Sequence, residues 1–574
     1  MNNEDIAACL KEIAALLELK NESSFRVRAY DNAGRTLGGL TEDVQVIAAE
    51  GRLPQVKGIG KGIAEKITEL LETGHIAYLE ELRQVFPPGV RTLMNVPGVG
   101  PSIARRVYQE LGVDSIEALR VAAESGALAS MPGLGEKSAQ NVIRSLSRAN
   151  KAEDRISIGR AVPVVESLMQ QLRESAPVDR LEAGGSLRRW APTIGDIDLM
   201  ATSEKPEEVM DAFVQLPQVR QVLARGATKS AIVTDNGLQV DLRIIEAQSF
   251  GSLLQHFTGS KNHNIELRDY ALQRGQSLNE YGIVTVETGK LTPFSDEREF
   301  YAALDLDYVP PELREGTGEI QAARKRSLPD LISVADIRGD LHMHTDWSDG
   351  ALPVEEMVVA AQAHGYEYLA ITDHSGGMAL AGGLNEERIG QQYLRLEEVR
   401  KLVPGIHILA GSEVDIKRDG TLDFPNEVLA KLDWVIASVH SGFNQSRQEM
   451  TERILSAIEN PFVHAIAHPT GRLIGKRSPY EVDLEAVFAA AARTRTALEI
   501  NSFPERLDLS DTQARRATEL GVMLVVNTDA HAQVHLDNMR FGVAMARRAW
   551  ARAGNVLNSL PLAELRAWLK RDVP

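Results

Sequence analysis

From residue 339 onward the sequence alternates short apolar runs, YLAIT, IHILAG, WVIASV, AIAH, ALEIN and MLVVN, with amphipathic stretches. No other feature constrains the fold as strongly. The alternation predicts a distorted β/α barrel over 339–574, and in such a barrel the active site lies at the C-terminal ends of the strands. Metal-ligating side chains stand at those ends. His342, His344 and Asp349 lie in DLHMHTDWSDG, His374 in AITDHS, Glu413 in LAGSEVD, His440 in IASVHSG, His468 in AIAHPTG, and Asp529 with His531 in VVNTDAH. Ten of the 13 histidines fall in this region, more than scattered surface histidines would give. Imidazole and carboxylate without thiolate suit Zn²⁺, Mn²⁺ or Fe²⁺, and nine ligands suffice for more than one ion with positions open to water. The expectation is a hydrolytic metal cluster.

A second carboxylate group stands in the middle of the chain. Residues 181–200 read LEAGGSLRRWAPTIGDIDLM, and GLQVDLRII follows as another apolar strand with an acid at its centre. Alternate side chains of a strand share a face, so Asp196 and Asp198 are expected to point the same way, with Asp241 on a neighbouring strand completing a trio. Three carboxylates within reach of one another are costly unless divalent cations lie between them, as in two-metal phosphoryl transfer. Just upstream, Gly184, Gly185, Ser186 and Arg189 offer a glycine turn, a hydroxyl and a guanidinium to a triphosphate.

The first third repeats a backbone device: VKGIGKGIAEKI at 56–67, VPGVGPSIARRV at 96–107 and MPGLGEKSAQNVI at 131–143. In each, a Gly-x-Gly turn (Gly58 and Gly60, Gly98 and Gly100, Gly133 and Gly135) precedes a helix whose first N–H groups are free to hold a phosphate. Three copies read as helix-hairpin-helix units that grip a DNA backbone without reading sequence. Amphipathic helices are expected at 6–20 and 63–74, the second stopped by Gly74. Arg26, Arg28, Lys57, Lys61, Lys66, Arg105, Arg106 and Lys137 supply local positive charge. It has to be local, because the net charge is −17 and residues 1–150 carry 17 Lys and Arg against 19 Asp and Glu. The single cysteine, Cys9, rules out disulfide frameworks and Cys-rich zinc sites. With no signal-like N-terminus and no apolar run of membrane-spanning length, a reducing cytoplasm and no membrane partner are expected.

Taken together, these residues resemble the bacterial family X DNA polymerases that carry a C-terminal polymerase-and-histidinol-phosphatase (PHP) domain, over essentially the whole chain. GGSLRR with GDIDLM is similar to the palm motif of that family, HFTGSKNHN at 256–264 to its nucleotide-pocket motif, and the nine C-terminal ligands to its metal set. The resemblance implies a helix-hairpin-helix domain at 1–80, a fingers-like one at 81–150, an α+β nucleotidyltransferase palm at 151–250, a thumb at 251–315, an exposed linker at 316–338 and the PHP barrel beyond. It implies that Asp196, Asp198 and Asp241 hold two Mg²⁺ or Mn²⁺ ions, that Gly185, Ser186, Arg189 and Gly195 contact the incoming triphosphate, and that His256, Phe257, Gly259 and Asn264 face its sugar and base. Arg268 would lie against the template. In the barrel, His342, His344, Glu413 and Asp529 would hold one ion, Glu413 would bridge to a second at His440 and His468, and Asp349, His374 and His531 would hold a third. Arg472 and Lys476 would hold nucleic-acid phosphates.

Two residues depart from the family pattern: His256 stands where many relatives have Tyr, and Trp190 where a glycine often follows the two arginines. Lys66 falls where eukaryotic relatives put the lyase lysine, and also where a helix would contact phosphate. The implied activity is gap-filling repair synthesis on gapped or nicked DNA with deoxynucleoside triphosphates, joined to a 3′–5′ exonuclease that also cuts at abasic sites, in a monomer. Two other classes stay open. The GGS and DxD motifs also occur in nucleotidyltransferases acting on RNA ends, against which the hairpin repeats speak. A DNA-binding scaffold with decayed sites is the other, against which the completeness of both ligand sets speaks.

Overall fold

The computed structural model describes residues 3–38, 40, 42–94, 96, 99–131, 142, 155–378 and 381–570. The chain divides into two compact units, Met1–Arg155 and Ile156–Pro574.

The first unit is helical. Its first helix, Asn3–Leu19, buries Ile6, Leu10, Ile13 and Leu17, a stripe at three- and four-residue spacing, against the helix Ser24–Gly38. The helices Lys61–Thr73 and Pro101–Leu111 start at Gly60 and Gly100, and the first ends at Gly74 in the left-handed conformation, as its sequence predicts. The third glycine turn, with Gly133, Gly135 and Lys137, lies outside the described residues, as does Gly98.

The second unit opens with β1 (Ile156–Ser157) and the helix Ile158–Ser175, followed by β2 (Arg180–Ala183), β3 (Thr193–Ile194), β4 (Ile197–Thr202), β5 (Val219–Arg225), β6 (Lys229–Thr234) and β7 (Gln239–Ile244). β1 pairs with β3, and the other five form one sheet in the order β2-β4-β7-β6-β5, in which β4 and β7 run parallel. Helices Phe250–Thr258 and Lys261–Leu272 then lead into a small antiparallel sheet of β8 (Gln276–Asn279), β9 (Gly282–Thr285) and β10 (Leu291–Thr292). The segment 316–338 is not the exposed connection its basic, Gly-flanked sequence predicts. It forms the helix Glu319–Arg324, whose Glu319, Ile320 and Ala323 are buried in the apolar cluster around Phe300 and Tyr301. Glu319 can be buried because it accepts a 2.7 Å bond from the ring of the equally buried His263.

The last part is a seven-stranded parallel sheet in sequence order: β11 (Gly339–Met343), β12 (Tyr368–Ile371), β13 (His407–Asp415), β14 (Trp434–Ser438), β15 (Ala465–Ile466), β16 (Ala497–Asn501) and β17 (Leu524–Asn527). Helices cover its outer face, which is why both faces of its strands are buried and the runs read as continuously apolar. The sheet curls until β17 comes back beside β11. Asn558, fully buried, stitches that seam: its Nδ2 donates to the Gly339 and Val526 carbonyls at 2.8 and 2.6 Å, and its Oδ1 accepts from the Val526 N–H at 3.0 Å. Asn558→Leu keeps the volume and strands three buried backbone groups, so the barrel should lose about 2–4 kcal/mol, read as a lowered thermal midpoint of the full chain.

Candidate functional site

All nine residues expected as barrel ligands converge at the mouth where the strands end. His342 is on β11 and His344 just past it, Glu413 is on β13, and His374, His440, His468 and the Asp529–His531 pair follow β12, β14, β15 and β17. Glu413 is the hub. Its Oε1 lies 3.1 Å from His468 Nε2 and 3.3 Å from His440 Nε2, and its Oε2 lies 2.9, 3.4 and 3.6 Å from His374, His342 and His344. Asp529 Oδ1 is 3.2 Å from His344 Nε2, and Asp349 is 3.3 Å from His531 Nε2. Three sets have donor atoms close enough to share an ion: His342, His344 and Asp529; His344, Asp349, His374 and His531; and His374, Glu413 and His440. His344 and His374 each stand in two sets, so the grouping differs from the partition that the resemblance implies.

The electrostatics fit cations at this mouth. Among the described residues, the buried ring nitrogens His342 Nε2, both of His344 and His468 Nδ1 have no hydrogen-bond partner, a costly state unless a metal uses the lone pairs. Burial and the neighbouring His374 and His531 rings push His344 down to about 3, so its ring is neutral, as a ligand must be. For His374, burial opposes the charge but Glu413 and Asp349 prevail and raise it to about 10. His468 and Asp529 hold left-handed backbone, at φ 29° and 54°, a strain that aims both side chains inward.

In the preceding sheet, the parallel register sets Asp198 of β4 directly beside Asp241 of β7. Asp196 lies one residue before β4 and is exposed, so the strand itself carries only one acid of the DxD pair. Burial, Asp196 and Asp241 raise Asp198 to about 6, the mark of carboxylates in need of a counter-cation. Gly185, at φ 60°, heads the short helix Gly185–Arg188, and a side chain there would sit 3.2 Å from the Asp198 carboxylate. Ser186 shares that turn, while Gly195 is exposed beside Asp196. Arg189 Nη1 donates to the Thr258 carbonyl at 2.5 Å and its Nε to Glu315 at 3.1 Å. Gly259 follows at φ 68°, where a side chain would meet Arg189 Nη1 at 3.1 Å. Half-buried His256 lies 5.0 Å from the Phe257 ring and is held below its usual range by burial, with Arg268 and Arg243 adding to it. The Asn264 amide bonds the His256 carbonyl and Gln255, and Arg268 is exposed on the same helix.

In the helical unit, a Cβ at Gly60 or Gly100 would meet nothing within 4 Å, and both have ordinary negative φ. Neither glycine is needed for packing. Gly58, at φ 89°, is required by the turn. Lys66 lies 5.0 Å over the Tyr78 ring.

Residues 1–76 match the helix-hairpin-helix domain family, 90–148 the SAM-like helix-hairpin-helix tandem, 253–315 the DNA polymerase beta thumb, and 340–502 the PHP domain. The chain is 39% identical to the DNA polymerase/3′-5′ exonuclease PolX of Bacillus subtilis (strain 168), over the whole of both chains. The chain belongs to the family X DNA polymerases with a C-terminal PHP domain. A probable phosphatase of Shewanella sediminis (strain HAW-EB3) is 31% identical over 40% of this chain and 94% of its own length. Another, of Acetivibrio thermocellus, is 34% identical over 33% and 78%.

Within this family X chain, sequence reasoning passes over three residues. Glu499, in the apolar run ALEIN, is fully buried on β16; its Oε1 lies 2.7 Å from His342 Nδ1 and its Oε2 accepts from the His468 N–H at 2.7 Å. An acid inside an otherwise apolar strand was the available signal. Arg506, in a loop with no motif, has its Nε 3.8 Å from Asp529. Arg243 lies 4.3 Å over the Phe257 ring and close to Asp198. Arg472, expected to hold phosphate, is instead committed to the carbonyls of Arg506 and Leu507 and so shapes the loop that carries Arg506, while Lys476 is exposed. Trp190, at φ 54°, packs edge-on against Phe541 of the barrel, 5.8 Å away.

Because His374 without metal stays protonated up to about pH 10, metal loading must expel its proton, and affinity should fall as pH drops from 8 to 6. Mn²⁺ calorimetry at pH 8 in two buffers of different ionisation enthalpy should give heats that differ by the release of about one proton or more per chain. Identical heats would count against His374 as a ligand.

Proposed function

We propose that the chain is a template-directed DNA polymerase that fills short gaps and trims primer ends with its own 3′–5′ exonuclease, acting on gapped or nicked DNA in repair. The observation that supports this most directly is Asp198 beside Asp241 in parallel register, with Asp196 next to them and the Gly-Ser-Arg turn alongside, in a chain that also carries the nine-ligand barrel mouth. Mg²⁺ or Mn²⁺ at the three acids, and two to three Mn²⁺, Zn²⁺ or Fe²⁺ ions at the mouth, would supply charge neutralisation of phosphate and activation of an oxygen nucleophile.

The chain's own residues do the rest. Gly185 lets the backbone approach a triphosphate, Ser186 and Arg189 bond it, and Gly195 leaves room beside Asp196. Phe257, Gly259 and His256 line the sugar and base, with Asn264 holding the His256 carbonyl in place; a neutral imidazole there gives looser sugar discrimination than a phenol would. Arg268 meets the template strand. At the barrel mouth, Glu499 orients His342, and Arg506 is the cation best placed for the scissile phosphate. We assign Lys66 to phosphate contact, as a cation on the helix that starts at Gly60, lying 5.0 Å over the Tyr78 ring. A monomer in the cytoplasm, associated with the nucleoid, goes with this reading; among the described residues no helix is long and apolar enough to cross a membrane.

Asp196→Ala and Asp198→Ala should each lower nucleotide addition roughly a thousandfold or more while digestion of a 3′-labelled primer continues. His342→Ala with His344→Ala should do the reverse and lose bound metal. Extension that survives both acid variants would sink the polymerase assignment, and digestion that survives the double histidine variant would sink the exonuclease.

Gly60→Ala with Gly100→Ala should leave the circular dichroism unchanged, since both sites are open, yet weaken binding to gapped duplexes of any sequence roughly three- to tenfold. Unchanged affinity would remove these two helix starts from the DNA contact.

A further inference from the structure

Arg548 is the last residue of the barrel helix Met539–Arg548, yet its guanidinium ends in the nucleotide site of the other catalytic region. Nη1 donates to the Arg189 carbonyl and to Glu315 Oε1, both at 2.8 Å, and Nη2 lies 2.6 Å from Asp511 on the barrel. The same Glu315 oxygen accepts from Arg189 Nε at 3.1 Å. We infer that Arg548 is a positioning residue for nucleotidyl transfer: from within the phosphoesterase domain it fixes the arginine that receives the triphosphate. This rests on the reading of Arg189 given above.

Arg189 is a long side chain whose ordering has an entropic cost, and every bond made before the nucleotide arrives lowers the cost at binding. Its Nε and Nη1 are engaged by Glu315 and Thr258, and Nη2 has no protein partner among the described residues. The fork is therefore held on two corners, with one left for a ligand. Arg548 secures this arrangement in two ways. It anchors the Arg189 backbone through the carbonyl. It also shares the Glu315 carboxylate, so that Glu315 orients Arg189 without neutralising it. Arg548 cannot swing away, since its side chain is only 7% exposed and is bonded at both ends. Other barrel side chains brace the same boundary, Arg547 on Glu312 at 2.7 Å among them, but Arg548 bonds Arg189 itself.

The test is steady-state incorporation by full-length protein on a primer ended with a nuclease-resistant phosphorothioate. Arg548→Gln, Arg548→Lys and Glu315→Gln are compared with Arg189→Ala, alongside thermal midpoints and digestion of an unmodified 3′-labelled primer. Arg548→Gln should raise KM for the incoming deoxynucleotide about tenfold with kcat changed by less than about threefold, and leave digestion unchanged. Lysine should restore part of the loss, and the double variant with Glu315→Gln should be no worse than the poorer single one. If Arg548→Gln does not fold, Glu315→Gln breaks the same link from the other side and decides in the same way. An unchanged KM in these variants, while Arg189→Ala raises it, overturns the inference alone; so does an equal loss of both activities with a lowered midpoint, which marks a structural brace. An unchanged KM in Arg189→Ala overturns the nucleotide role of Arg189 and this inference with it.

Discussion

A single buried carboxylate, that of Glu413, holds the barrel mouth together. Its two oxygens face five imidazoles drawn from the ends of four strands, and burial would expel its charge were those rings absent. Burial opposes it, but His374, His440 and His342 hold Glu413 well below the usual carboxylate range. Ion pairing of this kind is weak evidence for stability, because desolvation offsets much of the attraction. Its value lies in specification. Only one closure of the sheet brings strands β11 to β15 and their following loops to one point, and the remaining ligands assemble around that point.

The same economy of charge runs through the other catalytic region. Asp198 and Asp241 are adjacent because β4 and β7 pair in parallel, and the turn after β2 sets Gly185 against the Asp198 carboxylate, with Ser186 and Arg189 following it. Where positive side chains are buried nearby, each has an acid: Arg314 and Arg188 share Glu297, and Arg548 shares Glu315 with Arg189. Glu297 is drawn down to about 2 against the effect of burial, chiefly by Arg314 and then Arg188.

Much of this was legible in the sequence because it follows from short-range pattern. Strand-terminal ligands announce a barrel mouth, GGSxRR with GDxD announces a nucleotidyltransferase sheet, and Gly-x-Gly before a helical run announces an open helix start. What stayed hidden depends on contacts far apart in the chain. Arg506 has no motif and approaches Asp529 only through the loop that Arg472 ties down. Glu499 looks like one polar residue in a core strand until the fold sets it behind His342 and His468. Trp190 stands where a glycine often follows the two arginines, and only the fold brings Phe541 against it. The segment 316–338 reads as linker because burial of Glu319 depends on His263, which lies far from it in sequence.

The seam at Asn558 orders events in time. A chain emerging from the ribosome completes its nucleotidyltransferase sheet once β7 has appeared, at Ile244, whereas β17, which meets β11 through Asn527 and Thr528, follows only at Leu524–Asn527, and the buried amide across that seam only at Asn558. The His, Asp and Glu cluster at the barrel mouth therefore assembles after the nucleotidyltransferase sheet, because Asp529 and His531 follow β17. Truncation by premature termination before β17 leaves the barrel open, and truncation between β17 and Asn558 leaves its seam without the buried amide that braces it.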